Sequence, residues 1–138
     1  MNIMKHVEEE NKIMVLLEPG ENVIKSLKKI REKYSIKNGF FYGIGAVDQA
    51  TLGHYNVEKQ DYKEKEFEGQ YEVTAFSGNI GPDKVHAHIE LGKEDFSTLG
   101  GHCSQARVSG TFEIVIFKGD TPLYHELDER TGLDVFDI

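Results

Sequence analysis

Val85, Ala87, Ile89 and Leu91 alternate with His86, His88 and Glu90 in the stretch VHAHIEL. A period of two predicts a strand with one apolar face and an opposite face carrying two imidazoles. Runs rich in β-branched and aromatic residues, broken by Gly, Asn or Asp, recur at 40–47, 50–56, 62–67, 71–80, 106–108 and 111–117. Together they predict a mostly antiparallel sheet. Lys12 to Glu18 is a further strand, closed by the turn residues Pro19-Gly20. The period changes only over 21–34, where Val23, Ile24, Leu27 and Ile30 recur at helical spacing with Lys25, Lys28, Lys29 and Arg31 between them. The expected class is α+β, a mostly antiparallel β-sheet with one main amphipathic helix near the N-terminus. No Pro/Gly/Ser-rich linker interrupts the 138 residues, so 1–138 reads as a single domain. The acidic tail from Leu123 to Ile138 reads as a surface segment or as partly disordered.

Charge narrows the function classes. Sixteen Lys and Arg face 24 Asp and Glu, a formal charge of −8, so the bulk attraction to phosphate that nucleic-acid binding needs is missing. The densest basic run, Lys25 to Arg31, is the solvated face of the predicted helix. Cys103 is the only cysteine, which rules out an intrachain disulfide and a thiolate zinc cage and favours a reducing compartment. MNIMKHVEEE lacks the apolar core of a signal peptide, and no later run approaches the ~20 apolar residues of a membrane helix. A soluble cytoplasmic protein is expected.

Chemistry concentrates on the histidines. His86 and His88, two apart on a strand, stand about 6.5–7 Å apart at Cα, close enough for both rings to reach one ion. His102 follows Gly100-Gly101, a pair without side-chain bulk that lets the backbone approach another strand. Three imidazoles would leave a fourth position for water or substrate, as in catalytic zinc sites. From the residues alone this clamp and a pair of inert surface histidines remain equally open. Cys103, next to His102, should point away. His6, His54 and His125 lack a partner at ligand spacing and read as solvent-exposed. Gly43-Ile-Gly-Ala46 lacks the third glycine and following helix of a nucleotide-binding loop and reads as close strand packing or a subunit contact. Glu72 and Glu113, inside apolar strands, call for cationic partners, within the chain or across a subunit interface. Glu90 is the carboxylate placed on the histidine face and is the candidate acid or base, with no catalytic residue assigned.

Gly43-Ile-Gly-Ala-Val47, Leu52-Gly-His-Tyr55, Tyr71 to Asn79, Val85 to Leu91, Gly100-Gly-His102 and Phe112-Glu-Ile-Val115 occur in this order. The chain thereby resembles the PPC domain, the plants and prokaryotes conserved domain, over about residues 10 to 120. The resemblance implies an α+β homotrimer with His86, His88 and His102 as metal ligands, zinc or another first-row divalent ion being the cofactor. It also implies a fold similar to that of acetolactate decarboxylase, whose zinc is held by three histidines. Plant members follow an AT-hook that enters the DNA minor groove. The Arg-Gly-Arg-Pro core of that hook is absent here, so direct DNA binding should be weak or absent. Glu90 and Cys103 depart from the small and hydrophobic residues the family favours at those positions. Two function classes follow: a trimeric metal-binding protein, with metal-dependent catalysis as its extension, and a DNA-associated or protein-interaction module without chemistry.

Overall fold

The computed structural model describes residues 4–138. In chain order the elements are β1 (Lys5–Glu9), β2 (Lys12–Leu17), α1 (Val23–Lys33), β3 (Asn38–Asn56), β4 (Asp61–Ile80), β5 (Val85–Gly92), β6 (Thr98–Gly119), β7 (His125–Asp128) and β8 (Leu133–Phe136). The class is α+β, mostly antiparallel sheet with one helix among the described residues. None of these helices or strands is a helix long and apolar enough to cross a membrane.

The helix forms where the 3.6-residue period predicts it. Asn22 caps its start, the side-chain oxygen accepting from the Lys25 amide at 3.0 Å, which satisfies one of the free N–H groups of the first turn. Arg31 and Lys33 occupy the last turn, where positive charge complements the helix dipole. Ser35, at φ 48°, turns the chain out of the helix. Val23, Leu27 and Ile30 are fully buried as α1 packs against β6 and β5. Each such side chain contributes about 1.5–3 kcal/mol by leaving water.

The segments that the sequence pattern divides are continuous. Runs 40–47 and 50–56 are one strand, β3; 62–67 and 71–80 are β4; and 106–108 and 111–117 join Gly100-Gly-His102 in β6. Within β3, glycine marks close approach. A Cβ on Gly43 would stand 2.7 Å from the Glu113 carbonyl oxygen, and the register of β3 against β4 shifts between Gly43 and Gly45. Bulges of this kind bend long strands without stopping them. Close strand packing, one of the two readings of Gly43-Ile-Gly-Ala46, is what the fold contains.

The main sheet runs β1-β2-β6-β3-β4-β5, and β5 also pairs with β6. Strands β6, β3, β4 and β5 therefore close on themselves around one core. Phe76, Phe112, Ile80, Leu91 and Ile116 fill it, together with Ala87 and Ile89 from the apolar face of β5. Cys103 points into it, as its position beside His102 predicts, and burial pushes its thiol up to about 12.

Of the two readings of the tail, the surface segment is what the fold contains. Residues 125–136 form a second, two-stranded sheet, β7 paired with β8. His125 is buried, not exposed: its side chain retains 3% of its accessible surface. Its backbone amide donates to Asp83 Oδ2 at 2.9 Å, Nδ1 lies 3.0 Å from Asp83 Oδ1 and Nε2 lies 2.9 Å from Asn79 Oδ1. The Phe136 ring covers the imidazole at 4.6 Å and meets Phe40 at 5.9 Å. The acidic composition describes the outer face of this hairpin; the ties to the β4–β5 turn come from residues more than 40 positions away. His6 also has a partner, its Nδ1 lying 2.7 Å from the Tyr34 hydroxyl. His54 is exposed as expected.

Candidate metal centre

Strand pairing assembles the three histidines. His86 and His88 share a face of β5 because side chains two apart on a strand point the same way. His102 is the direct cross-strand partner of His88, and paired residues of antiparallel strands project to a common side. The ring centroids of His86 lie 5.1 Å from those of both His88 and His102, and the latter two are 6.0 Å apart. One nitrogen from each ring falls within 4.8 Å of the others. Nitrogens on a zinc ion at ~2.0–2.1 Å in tetrahedral array lie about 3.4 Å apart, so small ring rotations suffice to converge.

Glycine makes the approach possible. Gly101 faces β3 so closely that a Cβ there would stand 2.6 Å from the Gly53 carbonyl oxygen, and one on Gly100 would stand 2.8 Å from that of Ile89. His102 also pairs with Gly53 across β3. A side chain at 100 or 101 would therefore move the strand that carries the third imidazole.

The environment favours neutral imidazole. His86 is pushed down to about 4, first by burial and then by the positive charges that His102, His88 and Lys84 would place beside it. His102 is lowered for the same reasons, burial first, then His88 and Lys84, against a smaller opposing pull from Glu64. A neutral ring is the ligating form.

The rings open onto a cleft of about 410 Å³. Besides the three histidines its walls include Tyr62 from β4, Lys84 from the β4–β5 turn, and Leu133 and Asp134 from the C-terminal hairpin. Tyr62 stands edge-on to His102, centroids 6.0 Å apart, and its hydroxyl donates to Glu64 Oε2 at 2.7 Å. Burial and that carboxylate raise the phenol to about 12. Lys84 Nζ lies 3.0 Å from Asp134 Oδ2.

Glu90 stays apart. It pairs with Gly100, two residues along β6 from His102, and contributes neither to the cluster nor to the cleft walls. The carboxylates near the site are Glu64 and Asp134, and the sequence pattern singles out neither. Tyr62 and Glu64 alternate on β4, a signal visible only once β4 is known to lie across β3 from His102. Glu72 and Glu113 are exposed on their strands, and neither forms an ion pair among the described residues.

Known proteins share this architecture. A crystal structure of a candidate DNA-binding protein from Bacteroides thetaiotaomicron has a TM-score of 0.93 at 28% identity, covering 99% of this chain and 98% of that one. A metal-containing protein from Archaeoglobus fulgidus has a TM-score of 0.85 at 26% identity, with both chains fully covered. Among curated sequences, the bifunctional protein GlmU of a Synechococcus strain is 30% identical over 119 residues, 83% of this chain. The chain spans only 13% and 18% of the length of the two GlmU relatives it matches. The sequence pattern of one family covers residues 4–120, a span that holds all three clustered histidines and every strand of the main sheet. The chain belongs to the Plants and Prokaryotes Conserved (PCC) domain family.

Proposed function

We propose that this chain is a metal-binding protein in which His86, His88 and His102 hold zinc or a similar first-row divalent ion. The observation that carries the reading is the convergence of three imidazole nitrogens within 4.8 Å on the wall of an open cleft. An all-nitrogen set of neutral imidazoles suits zinc, copper, nickel and iron, and zinc is the conservative assignment. The metal-containing relative from Archaeoglobus fulgidus supports it. Bound there, the ion would supply Lewis acidity to an oxygen donor entering from the cleft. Metal-dependent catalysis is the extension of this reading.

The working form is a cytoplasmic, single-domain homotrimer. Val7, Met14, Tyr42, Ile44 and Phe117 are between 41% and 63% exposed, and Glu113 lines one groove with the first four. An apolar face of this extent is costly in water and supports burial against a second copy, where Glu113 would also find a cation. Sedimentation should give a trimer mass at micromolar concentration; a monomer there removes this part. The alternative, a DNA-associated or protein-interaction module without catalysis, takes support from the Bacteroides relative's name. The charge of −8 and the missing AT-hook weigh against direct DNA contact.

The test of the metal reading is elemental analysis of protein purified without a histidine tag, beside His86→Ala and His102→Ala. One ion per chain in the parent and loss in both variants supports it. A parent that is metal-free and takes up no added zinc refutes it.

A further inference from the structure

We infer that the cleft beside the three histidines takes the carboxylate of a small organic acid, with Lys84 as its ammonium partner and Asp134 of the C-terminal hairpin as the counterion it displaces. The inference deepens the metal reading and rests on it.

Charge comes first. A divalent ion on three neutral imidazoles would carry +2, and the Lys84 ammonium lines the same cleft as all three rings. Asp134, paired with Lys84, and the nearby Glu64, which accepts from the Tyr62 hydroxyl, offset two of these three charges and leave a net positive charge. The cleft with its ion is therefore cationic and favours an anion. Donor chemistry sets the class. An open ligand position on the ion and the Lys84 ammonium, on one cleft wall, would each take one oxygen of a carboxylate. Val57 and Leu133 add apolar wall for a short carbon body. A volume of about 410 Å³ lies at the small-ligand end of the usual range.

The hairpin gives the counterion its role. Asp134 and Leu133 lie beyond residues 4–120, the span of the family pattern, yet they close one side of the cleft. Asp134 is half-exposed and held to Lys84 by one ion pair, a contact worth little in itself. An incoming carboxylate that also gains a metal bond can displace it. Meanwhile the buried His125 contacts keep the hairpin in place.

The test uses full-length protein loaded with cobalt(II), whose visible bands report the coordination sphere. Acetate is titrated against its neutral isostere acetamide. The expected result is saturable perturbation by acetate and none by acetamide. Lys84→Gln should weaken acetate roughly tenfold, the worth of one charge-assisted hydrogen bond; Lys84→Arg should retain most of the affinity; and Asp134→Asn should tighten it, all three keeping stoichiometric cobalt. Equal acetate affinity in the parent and Lys84→Gln, or a response to acetamide matching that to acetate, overturns the carboxylate site while the metal site stands. Failure of the parent to take up cobalt removes both.

Discussion

Replacing Gly101 by alanine should cost both stability and the third imidazole. The new Cβ would meet the Gly53 carbonyl oxygen at 2.6 Å, where ordinary contact begins at 3.4 Å, so β6 must retreat from β3 by about 0.8 Å. The obstacle is backbone, which cannot rotate aside as a side chain can. Overpacking of this kind costs about 1–3 kcal/mol, against a gain of ~0.4–1 kcal/mol from stiffening the unfolded chain. A net loss near 1 kcal/mol or more is expected in the metal-free protein. His102, the next residue, moves with the strand, and metal sites tolerate errors of about 0.2 Å; metal affinity should fall at least tenfold. Gly110→Ala is the control, because its Cβ would meet only the Ala46 side chain, at 3.5 Å. It should match the parent within ~0.5 kcal/mol. Urea denaturation reads stability, and competition with a chelating dye reads affinity. If Gly101→Ala equals the control in both, the close approach of β6 to β3 does not position His102.

Three further outcomes follow from the same packing. In metal-free protein, NMR should show His86 titrating near pH 4; a midpoint at the ordinary 6.5 would contradict its burial among cations. Between those values the unfolded chain holds a proton there that the folded chain refuses, so stability should decline as pH is lowered from about 6.5 towards 4. Cys103, buried and with its thiol near 12, should resist thiol reagents in native protein and react on unfolding; fast native labelling would refute its placement in the core. His125→Ala should leave urea stability of the main sheet nearly intact while speeding amide exchange across 125–136, since it removes the side-chain ties to Asp83 and Asn79. Uniform exchange in parent and variant would show that the hairpin is held by other contacts.

Local chemistry in the sequence determined the elements and the ligand types. The period of two at 85–91 predicts that Ala87, Ile89 and Leu91 are buried and that His86 and His88 share the opposite face, because strand geometry fixes both without reference to the rest of the chain. The helix is legible for the same reason, its apolar stripe being local. Lengths were not legible: the runs 40–47 and 50–56, 62–67 and 71–80, and 106–108 and 111–117 look separate in one dimension, whereas each pair lies within one long bent strand. The neighbours of the histidines were not legible either. His102 opposite His88 is a matter of register between β5 and β6, Tyr62 and Glu64 reach the cleft because β4 lies across β3, and Asp134 reaches Lys84 from 50 residues away. Such contacts depend on which strands pair and where the tail folds back, and a chain's own periodicity carries no term for either. The acidic tail is the plainest case: composition described its solvent face, and only burial of His125 against Asp83, Asn79 and Phe136 made it a wall of the cleft.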